Sequence, residues 1–192
     1  LMPNRSTDVS GEYRGFDKQI HTAGDFDYHT NFSLWDSYRT VHPLYLLAYP
    51  DLQRDMVRSL LDMADKGGYL PRWPMGIGYE NGTLGTPADI VIAESYLKGV
   101  ADFDASAALG YMLATADGPV PPEHPFAGRR GIEEYLELGY VPVEVGSRTV
   151  SRTLEFEIAD HGIARLARAL GDDETADRLL QRARSYGLLW DP

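Results

Sequence analysis

A repeated pairing of helices is the feature that most constrains the fold of this 192-residue chain. Three times, a long loop leads into a helix, a short turn and a second helix, and the copies share no obvious sequence identity. The predicted helices span residues 33–48, 51–67, 86–98, 104–118, 151–170 and 172–183. Repetition of this kind is typical of an α/α toroid, in which inner and outer helices alternate. We therefore predict an all-α fold, with a plain helical array as the alternative.

The local signals set the expected boundaries. The predicted N-caps are Ser33, Asp51, Thr86, Asp104, Ser151 and either Asp172 or Asp173. Pro43 should kink the first helix. A short helix is expected over residues 132–138, and the main strand signal covers residues 140–145. Residues 1–31 are predicted to form an irregular or short-strand arm, and residues 32–192 the helical domain.

The composition excludes several classes of partner. Acidic residues outnumber basic ones by 29 to 18, which gives a net charge of −11. That sign repels phosphate backbones and anionic lipid surfaces, so we expect neither nucleic acid nor a membrane as a partner. No apolar run is long enough to cross a bilayer, and the chain has no cysteine. A neutral ligand such as a sugar remains compatible with an acidic surface.

Carboxylates near the starts of the three predicted inner helices are the first candidates for chemistry. They are Asp36, Asp89 and Glu155, and all three should face the rim that carries the long loops. Glycoside hydrolysis requires a pair of carboxyl groups, so converging acids are the pattern to look for. The alternative is that they only complement the helix dipole. For Glu155, a solvated acidic face is an equal alternative.

Aromatic and guanidinium side chains beside these carboxylates could bind a sugar. Trp35 and Arg39 flank Asp36, and Arg72 and Trp73 lie between two prolines in the second long loop. An aromatic ring can stack on a sugar face, and a guanidinium can donate to adjacent hydroxyls. Alternatively, Trp35 and Trp73 belong to the core and Arg72 pairs with a nearby acid.

Motifs of other enzyme classes are absent from the sequence. The histidines show no metal-binding spacing, and neither a nucleophile-elbow motif nor a P-loop occurs. Gly76-Ile77-Gly78 lacks the context and third glycine of a dinucleotide-binding loop. We assign no metal ligand within the chain.

Several sequence blocks, in order, resemble glycoside hydrolase family 92, the calcium-dependent exo-α-mannosidases. The blocks are Tyr13-Arg14-Gly15-Phe16-Asp17, Ser33-Leu34-Trp35-Asp36-Ser37-Tyr38-Arg39, Gly68-Tyr69-Leu70-Pro71-Arg72-Trp73-Pro74, Ala88-Asp89-Ile90-Val91-Ile92-Ala93, Ser95-Tyr96-Leu97-Lys98-Gly99, Glu134-Tyr135-Leu136-Glu137-Leu138-Gly139-Tyr140-Val141-Pro142 and Ser151-Arg152-Thr153-Leu154-Glu155-Phe156. Pro87 departs from the pattern, because many relatives carry histidine there. With the helix spacing, the resemblance implies three hairpins of an (α/α)6 barrel, the N-terminal half of its catalytic domain.

The resemblance also implies an activity. Members of this family remove terminal mannose from glycans with inversion and use Ca²⁺; we expect α-1,2 specificity and a secreted or periplasmic location. The implied substrate-binding residues are Trp35, Asp36, Arg39, Arg72, Trp73, Asp89 and Glu155.

The general acid, the general base and the Ca²⁺ ligands of the family are expected beyond the position that matches Pro192, so no catalytic residue is assigned here. The chain alone is therefore expected to be incomplete and inactive, and its open half-barrel could self-associate. Two alternatives remain: a non-catalytic helical module that binds carbohydrate or protein, and another α/α-toroid carbohydrate enzyme.

Overall fold

The computed structural model describes residues 3–190, and about 53% of the chain is helical. The helices within that range are α1 (Leu34–Ser37), α2 (Val41–Ala48), α3 (Pro50–Gly67), α4 (Pro87–Leu97), α5 (Ala105–Ala116), α6 (Ile132–Leu138), α7 (Thr149–Ala169) and α8 (Asp173–Arg182). The predominantly helical class predicted from the sequence is thus confirmed.

Three small antiparallel sheets accompany the helices. Their strands are β1 (Asn4–Arg5) with β4 (His29–Thr30), β2 (Glu12–Arg14) with β3 (Ile20–Thr22), and β5 (Trp73–Met75) with β6 (Gly78–Glu80). The first two sheets lie in residues 1–31. Tyr13 stacks on Tyr28 with ring centroids 4.1 Å apart, and both rings are buried. This segment therefore packs into the core of the molecule.

The helices pack as neighbouring pairs. Helix α2 packs against α3, α4 against α5 and α7 against α8, while α4 also contacts α1 and α7. Helices α3 and α5 pack behind α4 and α7, respectively. The apolar core lies between these layers and includes Leu34, Met63, Ile92, Met112 and Ile163. This arrangement is consistent with the predicted alternation of inner and outer helices.

The first predicted helix is wrong in one respect, because the structure divides it into α1 and α2. The break lies at residues 38–40, ahead of Pro43, and not at the proline itself. In a continuous helix the Pro43 ring would clash with the carbonyl group of Arg39, four residues earlier. Restarting the helix at Val41 places Pro43 in a first turn, where its missing N–H group is not required.

Helix starts were predicted better than the side chains that cap them. Asp104 accepts a hydrogen bond from the Ala107 amide and Asp172 from the Thr175 amide, which confirms these two caps. Ser33 and Thr86 precede their helices but make no side-chain cap bond. The cap predicted at Asp51 is wrong, since α3 begins after Tyr49 with Pro50 at its first position.

Two further predictions concern residues 132–151. The short helix over residues 132–138 is confirmed as α6. The strand predicted over residues 140–145 is wrong: Val143–Val145 form a 3-10 turn. Helix α7 begins at Thr149 after Arg148, two residues before the predicted cap Ser151.

A buried ionic network connects the loop before α6 to α4 and α7. Arg129 is fully buried; its Nη1 donates to Asp160 Oδ1 at 2.5 Å and its Nη2 to Asp89 Oδ2 at 3.3 Å. Tyr135 and Arg182 also donate to Asp160. Since unpaired buried charge is costly, the loop, α4 and α7 are held together through Arg129.

The network predicts an unusual pH dependence of stability. Burial raises the pKa of Asp89 to about 6, an effect that Arg129 only partly opposes. Because this folded-state pKa lies above the ordinary value of 3.8, the stability contributed by protonated Asp89 is fully present below that ordinary value. It is lost as pH rises toward 6.

The test is the free energy of unfolding of the wild-type chain and of Asp89→Asn between pH 4 and pH 7. We expect the wild type to lose roughly 2 kcal/mol relative to the variant across that interval. Carboxyl groups that do not interact with Asp89 titrate equally in both proteins and cancel in the difference. Parallel pH curves for the two proteins would contradict the raised pKa.

Candidate functional site

Helix α1 and the residues that follow it carry the centre of the candidate site. Trp35 is partly buried and packs against the core, whereas Asp36 and Arg39 are exposed. The Arg39 guanidinium lies over the rings of Tyr38 and Trp35, at 4.5 and 5.5 Å from their centroids. The short helix thus presents a cation over two aromatic rings at the protein surface.

An ion pair joins this segment to α7. Arg39 Nη2 donates to Glu155 Oε1 at 2.8 Å, although the two residues are 116 positions apart. The Glu155 side chain is 10% exposed and that of Arg39 is 46% exposed. The solvated acidic face considered for Glu155 is wrong, because Glu155, Glu157 and Asp160 are all buried. Two of the predicted binding residues therefore meet, from opposite ends of the chain.

Three buried polar atoms around α1 have no hydrogen-bond partner within the described chain. They are Trp35 Nε1, Ser37 Oγ and Tyr38 Oη. Burial, followed by the neighbouring Glu155 carboxylate, raises the pKa of the Tyr38 hydroxyl, which therefore stays protonated at neutral pH. Unpaired buried polar groups cost free energy, and none of these three atoms is open to solvent in this conformation.

Asp36 has a local partner only. Its carboxylate accepts a hydrogen bond from the Ser33 hydroxyl. This contact explains why Ser33 does not cap α1 with its side chain. The rest of the Asp36 carboxylate is open to solvent on the same short helix as Trp35.

Asp89 occupies a different environment from the other predicted binding residues. Its side chain is 0% exposed and is paired with Arg129. One oxygen, Oδ1, has no partner in the described chain. This position indicates that Asp89 stabilises the fold. Substrate binding by Asp89 stays a prediction, and its buried carboxylate does not support it.

Arg72 and Trp73 are also placed by the structure. Arg72 is 6% exposed and donates to the backbone carbonyl oxygens of Gly85, Asn81 and Gly128. The expected pairing of Arg72 with an acid is therefore wrong. Trp73 is partly buried and begins strand β5, opposite Glu80.

Gly85 connects the Arg72 loop to Glu155. It adopts a φ of +68°, and a Cβ atom there would lie 2.9 Å from Glu155 Cβ. Only glycine combines that backbone conformation with so close an approach. Sequence reasoning missed Gly85 and Tyr38, although Tyr38 lies within the motif that was singled out.

The resemblance implies that the family binds Ca²⁺. Across residues 3–190, no group of three or more His, Asp or Glu side chains is placed to hold a metal ion. Side chains of these types alone therefore do not make up a Ca²⁺ site within residues 3–190. In the same range, no helix is both long and apolar enough to cross a membrane.

Comparisons with known proteins give the same family as the sequence blocks. The model of the glycosyl hydrolase family 92 catalytic domain matches residues 1–192. A family 92 α-mannosidase from Bacteroides thetaiotaomicron, solved in complex with mannoimidazole, is 35% identical with a TM-score of 0.90. An inverting family 92 mannosidase from the same species is 31% identical, also with a TM-score of 0.90.

The chain aligns over its full length with these two structures but covers only 24% and 26% of theirs. An uncharacterized secreted glycosidase from Arthroderma benhamiae is 28% identical over 141 residues, 69% of this chain and 18% of that protein. The chain thus spans about a quarter or less of the length of the relatives it matches. Because the model of the catalytic domain matches every residue, the chain belongs to glycosyl hydrolase family 92.

Proposed function

We propose that the chain forms the substrate-binding part of the catalytic domain of an α-mannosidase. The observation that carries the proposal is the Arg39–Glu155 ion pair. It brings the start of the helical domain and its long third inner helix together beside Trp35 and Asp36. These groups supply an aromatic face, a guanidinium and carboxylates, which together suit a polyhydroxylated sugar ring.

The partially satisfied side chains support a sugar as the ligand. The exposed Arg39 guanidinium, which lies over the Tyr38 ring, can donate to sugar oxygens, and the exposed Asp36 carboxylate can accept from sugar hydroxyls. The similarity to a mannosidase solved with mannoimidazole favours mannose over other sugars. Tyr38 is an addition to the predicted binding set.

The finer proposal is exo-acting, inverting hydrolysis of α-1,2-linked terminal mannose, with Ca²⁺ held elsewhere in the whole protein. An inverting mechanism needs a general acid and a general base on opposite sides of the scissile bond. We assign neither within this chain, whose role is to bind and orient the terminal sugar. A secreted or periplasmic location is part of the proposal, in line with the secreted glycosidase among the relatives.

The proposal predicts activity only from a longer form. Release of mannose from α-1,2-mannobiose should be measured for the 192-residue chain and for a form extended to the length of the solved relatives, each with Ca²⁺ and with a chelator. We expect hydrolysis only by the extended form, and only when Ca²⁺ is present. Hydrolysis by the 192-residue chain would contradict our placement of the general acid and the general base outside it.

The two forms also separate the proposal from its main alternative. Mannoside binding by an extended form that hydrolyses no mannoside would favour a non-catalytic carbohydrate-binding module. Hydrolysis of another glycoside in place of mannosides would favour a different α/α-toroid enzyme.

Substitution of Asp36 tests the binding site itself. In the active extended form, Asp36→Asn should lower kcat/KM roughly 10- to 150-fold, the loss expected for hydrogen bonds that involve a charged group. Thermal stability should change little, because Asp36 is exposed and contacts only Ser33.

Asp51→Asn is the matched control, because Asp51 is likewise an exposed carboxylate in the first turn of a helix. It should leave kcat/KM unchanged. A large loss of stability in Asp36→Asn, with kcat/KM preserved, would assign Asp36 a purely structural role.

Self-association of the short chain stays a prediction. Leu97 on α4 and Leu154 and Ile158 on α7 are at least 40% exposed. These side chains present an apolar surface that a second copy could cover. Sedimentation velocity over a concentration series should show a dimer or larger species, and a monomer at every concentration would refute it.

A further inference from the structure

Four arginines surround one small cleft beside the candidate sugar site. We call it the arginine cleft: Arg72 from the loop after α3, Arg130 before α6, Arg148 at the N-cap of α7 and Arg152 in its first turn. The cleft is small, with about 30 Å³ open to the centres of water-sized spheres, and it opens to solvent. A local concentration of positive charge is unexpected in a chain whose net charge is −11.

The guanidinium groups of the cleft lack anionic partners. Arg152 is only 5% exposed, and its buried Nη1 has no hydrogen-bond partner in the described chain. Arg72 is 6% exposed and donates only to carbonyl oxygens, which leave its charge uncompensated. Across residues 3–190, no carboxylate forms an ion pair with any of the four.

Arg129, which directly precedes Arg130 in the sequence, is a buried arginine whose charge is compensated. It is paired with both Asp89 and Asp160. In the cleft, burial and then the neighbouring arginines lower the pKa of Arg72 to about 10 and that of Arg152 below its ordinary value. The cleft therefore holds mutually repelling charges that only an anion would relieve.

Other donors in the cleft match the geometry of an oxyanion. Thr83 lines it, and the buried Thr83 Oγ1 has no partner within the described chain. Helix α7, 21 residues long, begins at Thr149, directly after Arg148 of the cleft lining, so the positive end of its dipole is near the cleft. Forked guanidinium donors, a hydroxyl and a helix N-terminus together suit an anion with several oxygen atoms.

We propose that the arginine cleft is a binding site for a small tetrahedral oxyanion, of the phosphate or sulfate type. Such a group has oxygen atoms for the Arg152 and Thr83 donors and can face Arg130 and Arg148 at the cleft mouth, where both side chains are exposed. The cleft is too small for a nucleotide. The anion is either a free ion or a phosphoryl group carried on a sugar.

The position of the cleft makes it possible to test whether the anion is a phosphoryl group carried on a sugar. Gly85 lines the cleft, and a Cβ atom added there would lie 2.9 Å from Glu155 Cβ of the candidate sugar site. A phosphorylated sugar could therefore place its ring near Glu155 and its anion in the cleft. The oxyanion site does not depend on the proposed mannosidase function, and only this sugar-borne source does.

Calorimetric titration of the 192-residue chain with inorganic phosphate at constant ionic strength tests the site. We expect saturable binding that weakens roughly tenfold or more in the double variant Arg130→Gln/Arg148→Gln, since each lost charged hydrogen bond removes about that factor. Both side chains are exposed, so the variant should retain its fold, which its thermal unfolding will verify. Arg184→Gln, an exposed arginine outside the cleft, is the control and should bind as the wild type does.

The remaining outcomes are equally decisive. No saturable binding to the wild type, unchanged binding in the double variant, or an equal loss in Arg184→Gln would each overturn the proposal. A second titration compares mannose 6-phosphate with inorganic phosphate. Tighter binding of mannose 6-phosphate than of inorganic phosphate identifies a sugar-borne group, and equal or weaker binding identifies the free ion as the ligand.

Discussion

The buried pairing of Arg129 with Asp89 and Asp160 is the interaction on which the rest of the structure depends. It lies at the junction of three elements: the loop before α6, helix α4 and helix α7. Tyr135 and Arg182 complete the hydrogen bonding of Asp160 and bring in α6 and α8. Since each partner would leave a buried charge if the others moved, the network fixes how the second and third hairpins meet. It is also the reason that Asp89 faces inward.

That junction determines what the neighbouring surface can do. With α7 fixed against α4, Glu155 is within reach of Arg39, and the first turn of α7 brings Arg148 and Arg152 next to Arg72. Gly85 lies between the two groups and separates a mixed-charge site with aromatic rings from a purely cationic cleft. The candidate sugar site and the proposed anion site therefore share one loop, and a single ligand with a neutral ring and an anionic substituent could span both.

Local structure was accessible from sequence where neighbouring residues decide it. Asp104 and Asp172 cap their helices because a side-chain acceptor three residues before a free amide needs no tertiary partner. The same rule failed at Ser33 and Thr86, whose hydroxyls bond to Asp36 and Arg129 instead. The strand expected over residues 140–145 failed for a related reason. Alternating valines favour a strand, but no neighbouring strand is available, and the segment packs around Gly131 as a turn.

By itself, the sequence determined the helical class, most helix boundaries and the family, because periodicity, capping residues and motif blocks are local properties. Only the tertiary structure decided which charged residues are paired. It buried Asp89 with Arg129 and joined Arg39 to Glu155. Within residues 3–190, it gave no carboxylate partner to Arg72, Arg130, Arg148 or Arg152. The physical reason is that charge compensation depends on distances between side chains that lie tens of residues apart in the chain. A sequence contains the charges, but the packing of helices sets which of them meet.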